Sequence, residues 1–267
     1  IHRIDNIGAY VSGLKFSPDR NFLVSAGRDS TVKFWDNVDG NYEQLQEWDM
    51  REDFGEGALR IDISTCSKYI VMASYESKRV VLQGVENNGN PVRSLTAQFA
   101  MMNVITNVMF SADCRAVYIC DWKSTGVLII KLWRPYLDNT DENSLTTLWE
   151  KSTSFPKIIV SHDKTMIAIE DRCVLHKGWL FTIDNNYNCT VQQLIVQGSN
   201  RLLHFTSDDK YIIYSTAVEL KYWSVAEGKF TDNKEYMSSN EKATEPNPHV
   251  VNCSPNNRQL IVLGKFD

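Results

Sequence analysis

Residues Gly13–Asp36 read GLKFSPDRNFLVSAGRDSTVKFWD. Three short apolar runs are broken first by Ser17-Pro18-Asp19 and then by Gly27-Arg28-Asp29. Both breaks carry residues that favour turns. Alternation within the runs is the period of a half-buried strand. The stretch therefore predicts strand, tight turn, strand, turn, strand. Whether this is one β-meander or one unit of a repeat decides the fold.

The same phase recurs along the chain. Phe16-Ser17-Pro18-Asp19 is followed 47 residues later by Ile63-Ser64-Thr65-Cys66, and after another 47 by Phe110-Ser111-Ala112-Asp113. Val160-Ser161-His162-Asp163 comes 50 residues on, Phe205-Thr206-Ser207-Asp208 comes 45 on, and Cys253-Ser254-Pro255-Asn256 comes 48 on. Two residues before each anchor's apolar member stand Leu14, Ile61, Val108, Ile158, Leu203 and Val251, on the same strand face. A second apolar run follows each turn: FLVSA, YIVMA, AVYIC, MIAIE, YIIYS and QLIVL.

For the first unit the reading is four strands at about 11–16, 22–26, 31–35 and 42–47. Helical periodicity is absent over any useful length. Four short antiparallel strands per unit, held in phase six times, predict an all-β β-propeller of four-stranded blades. Each blade has two apolar faces and buries them by stacking on its neighbours. A generic sandwich would not hold this period. The expected blades are about 10–56, 57–103, 104–154, 155–199 and 200–247, with a partial sixth at 248–267.

FSPDRNFLVSAGRDSTVKFWD in the first unit resembles the WD-repeat propeller family. The family braces a blade with a hydrogen-bonded His, Ser or Thr, Asp and Trp. Ser25, Asp29 and Trp35 match the last three, and the His position falls near Gly8. Later units keep the apolar frame and lose much of the signature. Trp133 and Trp223 take the Trp place, Leu82 and Ile183 replace it in units two and four, and Asp184 keeps the terminal Asp. The resemblance implies a noncatalytic protein-interaction scaffold, a segment of a larger assembly. It also leads us to expect that the natural chain continues beyond Asp267, with seven blades in the full ring and IHRIDNI serving as an outer strand. An open ring would leave unpaired strand edges and favour aggregation.

Bulk composition is consistent with this. Of 267 residues, 43% are apolar and 11% aromatic, enough for a core, and the net charge of −5 offers no basic excess for nucleic acid. No apolar run is long enough to span a bilayer. The six cysteines are scattered through a well-cored chain, which fits reduced thiols in a cytoplasmic setting. The tripeptides at Asn188 and Asn252 are read as chance matches to the glycosylation pattern. The start at Ile1, without Met or signal pattern, suggests an excised piece.

Motifs for catalysis or cofactor binding are missing from the sequence: no phosphate loop, nucleophile elbow, HExxH or dinucleotide fingerprint. Cys173 and His176 form a C-x-x-H spacing to which only His162 could be added, so neither a metal nor a cofactor is expected. Asp138, Asp141 and Glu142 lack the Gly and closing Glu of a calcium loop. His204 reads as a structural His on a first strand. With no catalytic residues to name, function is expected to live in loops.

In this family one end of the ring, the top, carries the turns between second and third strands and the connections between blades. Phe22 to Trp35 spans 13 residues, whereas Ala116 to Trp133 and Met166 to Ile183 each span 17. Two adjacent blades are thus expected to raise a rim containing Trp122, Lys123, Arg172 and His176, with Trp122 in a turn. The linker EWDMREDFGEG, another long top-face segment, adds Trp48, Arg51, Glu52, Asp53 and Phe54, of which Arg51 and Phe54 are expected to bind a partner. On the other end, Arg134–Ser144 reads as a solvated excursion. Two alternatives remain open: a peptide or modified-residue reader using the top opening, and a regulatory propeller attached to an enzyme elsewhere in the full chain.

Overall fold

A short turn repeated five times sets the architecture. In each, a Ser or Thr hydroxyl accepts the backbone N–H that opens the second strand: Ser17 from Phe22 (3.1 Å), Ser64 from Tyr69 (3.0 Å), Ser111 from Ala116 (2.9 Å), Ser161 from Met166 (2.8 Å) and Thr206 from Tyr211 (3.1 Å). Arg20, Ser67, Cys114, Lys164 and Asp209 close these turns at positive φ. A tight turn ending in a left-handed residue delivers the chain into an antiparallel hairpin.

The computed structural model describes residues 10–38, 41–86, 91–100, 103–135, 145–153, 156–171, 177–195, 201–215, 220–231, 250–253 and 260–263. They fall into two compact units, residues 1–152 and 153–267.

The first unit holds three four-stranded sheets in sequential order. Sheet one is β1 (Val11–Phe16), β2 (Phe22–Gly27), β3 (Thr31–Val38) and β4 (Asn41–Asp49). Sheet two is β5 (Leu59–Ile63), β6 (Tyr69–Ser74), β7 (Arg79–Val85) and β8 (Pro91–Ala100). Sheet three is β9 (Val104–Phe110), β10 (Val117–Lys123), β11 (Val127–Trp133) and β12 (Thr146–Ser152). β1 packs beside β5, and β5 beside β9.

Alternation divides sheet two between two cores. Leu59, Ile61, Ile70, Met72 and Val81 join Phe22, Val24, Phe34 and Trp48 of sheet one. Val71, Ala73, Val80 and Leu82 join Ile105, Val108, Phe110, Val117 and Trp133 of sheet three. Sequence pattern and packing agree that these sheets are apolar on both faces.

The second unit contains β13 (Pro156–Val160) through β14 (Met166–Asp171) and β15 (Lys177–Ile183) to β16 (Cys189–Ile195). β17 (Arg201–Phe205), β18 (Tyr211–Ser215), β19 (Leu220–Ser224) and β20 (Lys229–Thr231) form the next sheet, and β21 (Val250–Cys253) pairs with β22 (Leu260–Leu263). Ala168, Leu180 and Leu194 pack on Phe205, Ile212, Tyr214 and Trp223. A bulge between Leu202 and His204 takes Leu203 out of the expected period-two register.

Linker EWDMREDFGEG departs from the expected open loop. β4 runs to Asp49, a single helical turn α1 (Arg51–Phe54) follows, and Gly55 at φ 68° ends it. Asp49 accepts the Arg51 N–H at 3.0 Å, and the Arg79 guanidinium holds the Asp53 carbonyl at 2.9 Å. The turn drives Phe54 into the core between sheets one and two.

Candidate interaction surface

Register along the middle strands corrects the alignment of repeats. Trp35 lies opposite Leu23, seven residues after Phe16. The matching positions are Gln83 opposite Ile70, Trp133 opposite Val117, Phe181 opposite Ile167 and Trp223 opposite Ile212. The Trp place is therefore held by Gln83 and Phe181 in sheets two and four, not by Leu82 and Ile183. Asp184 is a turn residue instead, accepting N–H bonds from Asn186 (2.8 Å) and Asn188 (2.9 Å).

From Leu23 to Trp35 is 12 residues, from Val117 to Trp133 is 16, and from Ile167 to Phe181 is 14. The four-residue addition belongs to sheet three alone.

That addition is not a loop. The β10–β11 ladder runs from Val117↔Trp133 out to Lys123↔Val127, and Gly126 at φ 81° closes the turn. Trp122 is a strand residue, paired with Leu128 on one side and Val104 on the other, and half-buried. The expectation of a Trp in a turn is corrected: extra residues of alternating pattern extend a ladder, where cross-strand hydrogen bonds and side-chain pairs offset the entropy lost in ordering them. Lys123 reaches Glu150 of β12 at 2.9 Å. Behind them the Asp121 carboxylate is fully buried, held by Lys131 at 2.8 Å and by the Asn103 amide at 3.0 Å.

Of the linker candidates, Arg51 stays exposed beside Asp49, whose carboxylate it grips side-on. The hydrogen bond to that carboxylate raises the Arg51 pKa further. Phe54 and Trp48 are 2% and 3% exposed and belong to the core, so neither can serve as a contact anchor. Their spacing around Met50, buried too, was the available signal: three apolar side chains within seven residues of a polar linker. Arg172, His176 and Cys173 lie outside the described residues, as does most of Arg134–Ser144. His162 is engaged with Asp209 at 3.0 Å, and His204 lies 2.7 Å from the Phe205 carbonyl through Nδ1.

The blade-bracing set is present in part. Trp35 Nε1 donates to Ser25 Oγ at 2.9 Å, both buried. Asp29 accepts the backbone N–H (3.1 Å) and hydroxyl (2.7 Å) of Thr31, and bridges to Gly57. Gly8, the expected His position, is outside the described residues.

Residues 3–36 match the family model described as WD domain, G-beta repeat. The structure superposes on the β-propeller domain of Cps50 (Swd1) from Myceliophthora thermophila with a TM-score of 0.53 at 11% identity, covering 96% of this chain and 93% of that one. This chain has the β-propeller fold, with a first blade that matches the WD-repeat model. Other solved structures share the fold. A candidate 6-phosphogluconolactonase from Bacteroides fragilis gives a TM-score of 0.65 at 15% identity, over 94% of this chain and 76% of that one. A protein of unknown function from Desulfotomaculum acetoxidans gives 0.63 at 14%, over 91% and 72%. At these identities the propeller is shared, and the lactonase activity ascribed to one of these proteins is not carried with it. No curated protein matches the chain in sequence. No helix among the described residues is long and apolar enough to cross a membrane.

Proposed function

We propose that this propeller is a noncatalytic scaffold that docks other proteins at the hairpin ends of its blades, within a larger cytoplasmic assembly. The WD repeat and the propeller relatives support an interaction role in general terms. The observation that carries the specific reading is the long blade-three hairpin. Its ladder orders Trp122 and Lys123 before any partner arrives, so binding there need not order a loop. A half-buried Trp beside a partly exposed Lys–Glu pair is the composition of an interface anchor with a polar rim. Arg51 is a second exposed cation of the same unit.

The test is quantitative comparison of proteins that co-purify with the wild-type chain and with Lys123→Glu. The exposed Lys123–Glu150 pair contributes at most about 1 kcal/mol, so the variant should fold normally. A discrete set of proteins lost from the variant at unchanged melting temperature supports the reading. Identical sets from the two chains overturn it.

A further inference from the structure

In four of the five first turns the fourth anchor residue is an Asp whose carboxylate is held by the turn itself. Asp19, Asp113, Asp163 and Asp208 each accept the N–H of the residue two further on, at 3.1, 3.0, 2.9 and 3.2 Å. In three of them the anchor hydroxyl also donates to the carboxylate: Ser111 to Asp113 (2.6 Å), Ser161 to Asp163 (2.7 Å) and Thr206 to Asp208 (2.7 Å). This position is a built anion seat. In blade two its occupant is Cys66, with the Ser64 hydroxyl 3.3 Å from its sulfur.

A second recurring feature brings another sulfur to that seat. The left-handed residue of the next blade's turn reaches back to accept an N–H from the preceding turn. Ser67 Oγ accepts from Asp19 (3.3 Å), and the Asp209 carboxylate accepts from His162 (2.8 Å) and Asp163 (2.9 Å). Between blades two and three the reaching residue is Cys114, whose sulfur accepts the Cys66 N–H at 3.1 Å. The Thr65 hydroxyl lies 2.8 Å from the same sulfur and donates its one proton to the Ala112 carbonyl at 2.7 Å.

We infer that Cys66 and Cys114 form an oxidation site, in which an exposed Cys66 thiolate reacts with a hydroperoxide and Cys114 resolves the product. Cys66 sulfur attacks one peroxide oxygen, giving the sulfenic acid and releasing hydroxide, or an alkoxide from an organic hydroperoxide. The Cys114 thiol then attacks the Cys66 sulfur, forming the disulfide and expelling water. Two electrons pass from the thiol pair to the peroxide. The link ties together the first turns of blades two and three.

The thiol energetics run in the same direction. Burial works to raise Cys66, but hydrogen bonds from Ser64, from Cys114 and from the Lys68 backbone bring it below its ordinary value. Burial pushes Cys114 up. Burial acts on Cys120 and Cys189 without such a seat, raising Cys120 to about 12 and Cys189 to about 11. An accessible thiolate beside a resolving thiol is the arrangement that oxidises selectively.

The experiment treats the 267-residue chain with hydrogen peroxide near neutral pH, blocks residual thiols and maps the cysteine peptides by mass. A Cys66–Cys114 linked peptide and a raised melting temperature are expected. Cys114→Ser should stop at a sulfenic acid on Cys66 that dimedone captures, and Cys66→Ser should leave Cys114 unoxidised. In the untreated wild-type chain, iodoacetamide should modify Cys66 about tenfold or more faster than Cys189, a reading that needs no variant. Equal alkylation rates, a link to Cys173 or Cys253 instead, or only intermolecular Cys66 dimers would overturn the inference.

Discussion

Blades one and two are built on one pattern, yet their first strands meet opposite surroundings. Ile61 and Ile63 of β5 are 5% and 2% exposed, whereas the corresponding Leu14 and Phe16 of β1 are 49% and 57% exposed. Both pairs point toward the face that carries the Trp place, as the registers Leu14↔Ser25 and Ile61↔Met72 require. In blade two that face lies against blade one. On blade one Leu23, Ser25 and Trp35 of that face are buried, while Leu14 and Phe16 stay exposed. The repeat thus dictates an apolar face wherever it occurs, and burial is decided by what is stacked upon it.

The largest expected effect separates equal positions by context. Phe110→Ala in β9, where the ring is fully buried, should lower the stability of the first unit by about 3–5 kcal/mol. Phe16→Ala at the same place in β1 removes an exposed ring that meets Tyr42 edge-on, at 5.9 Å between ring centroids, and should stay within about 0.5 kcal/mol. Chemical denaturation of the two variants measures the difference. Equal losses would mean that the blade-one face is covered in solution. Phe16→Ser should also reduce self-association seen by light scattering, because an exposed apolar face favours it.

Much of this is legible in the sequence. The four strands of blade one fall within two or three residues of the expected limits, because turn chemistry brackets each of them. The anchor Ser and Thr residues that set the period are the ones whose hydroxyls hold the second strands. What failed lay in the second hairpins, whose lengths vary. The apparent Trp place fell on Leu82 instead of Gln83 and on Ile183 instead of Phe181, since span lengths differ between hairpins and apolar neighbours on a doubly buried strand look alike. Trp122 read as a turn residue because Lys123, Ser124, Thr125 and Gly126 are polar or small, while the ladder in fact continues to Lys123. The meeting of Cys66 with Cys114 was out of reach, because it depends on a left-handed residue crossing to a turn 48 positions away.

A second test uses the Trp place itself. Ser25→Ala leaves the buried Trp35 indole N–H without its acceptor and should destabilise by about 1–3 kcal/mol. In blade two the place is taken by Gln83, whose buried Oε1 has no hydrogen-bond partner among the described residues. Gln83→Leu should therefore be neutral or stabilising in the same denaturation assay. A marked loss on Gln83→Leu would show that the amide has a role that these contacts do not contain.

The smallest expected effect concerns the reach between neighbouring turns, which is uncharged between blades one and two and ionic between blades four and five. Ser67 holds the Asp19 N–H with a hydroxyl that does not titrate near neutrality. Asp209 holds both backbone N–H groups of the facing turn and the His162 ring. The hydrogen bond to Asp209 raises the His162 pKa above its ordinary 6.5, against burial, with the Asp163 charge assisting and the His204 ring lying 5.4 Å away. A pKa raised on folding means that the folded state holds the proton more tightly than the unfolded one. The resulting stabilisation is complete below the unfolded value near 6.5 and is lost as pH rises through the higher folded value. Melting of the second unit should therefore fall slightly between about pH 6 and about pH 8. His162→Gln should flatten that slope, and Ser67→Ala should leave it untouched. Because the His162 side chain is 41% exposed, solvent screens the pair and the change should be no more than a few degrees. A slope that survives in His162→Gln would place the titration on another group and remove the ionic reach from the account of how these turns are joined.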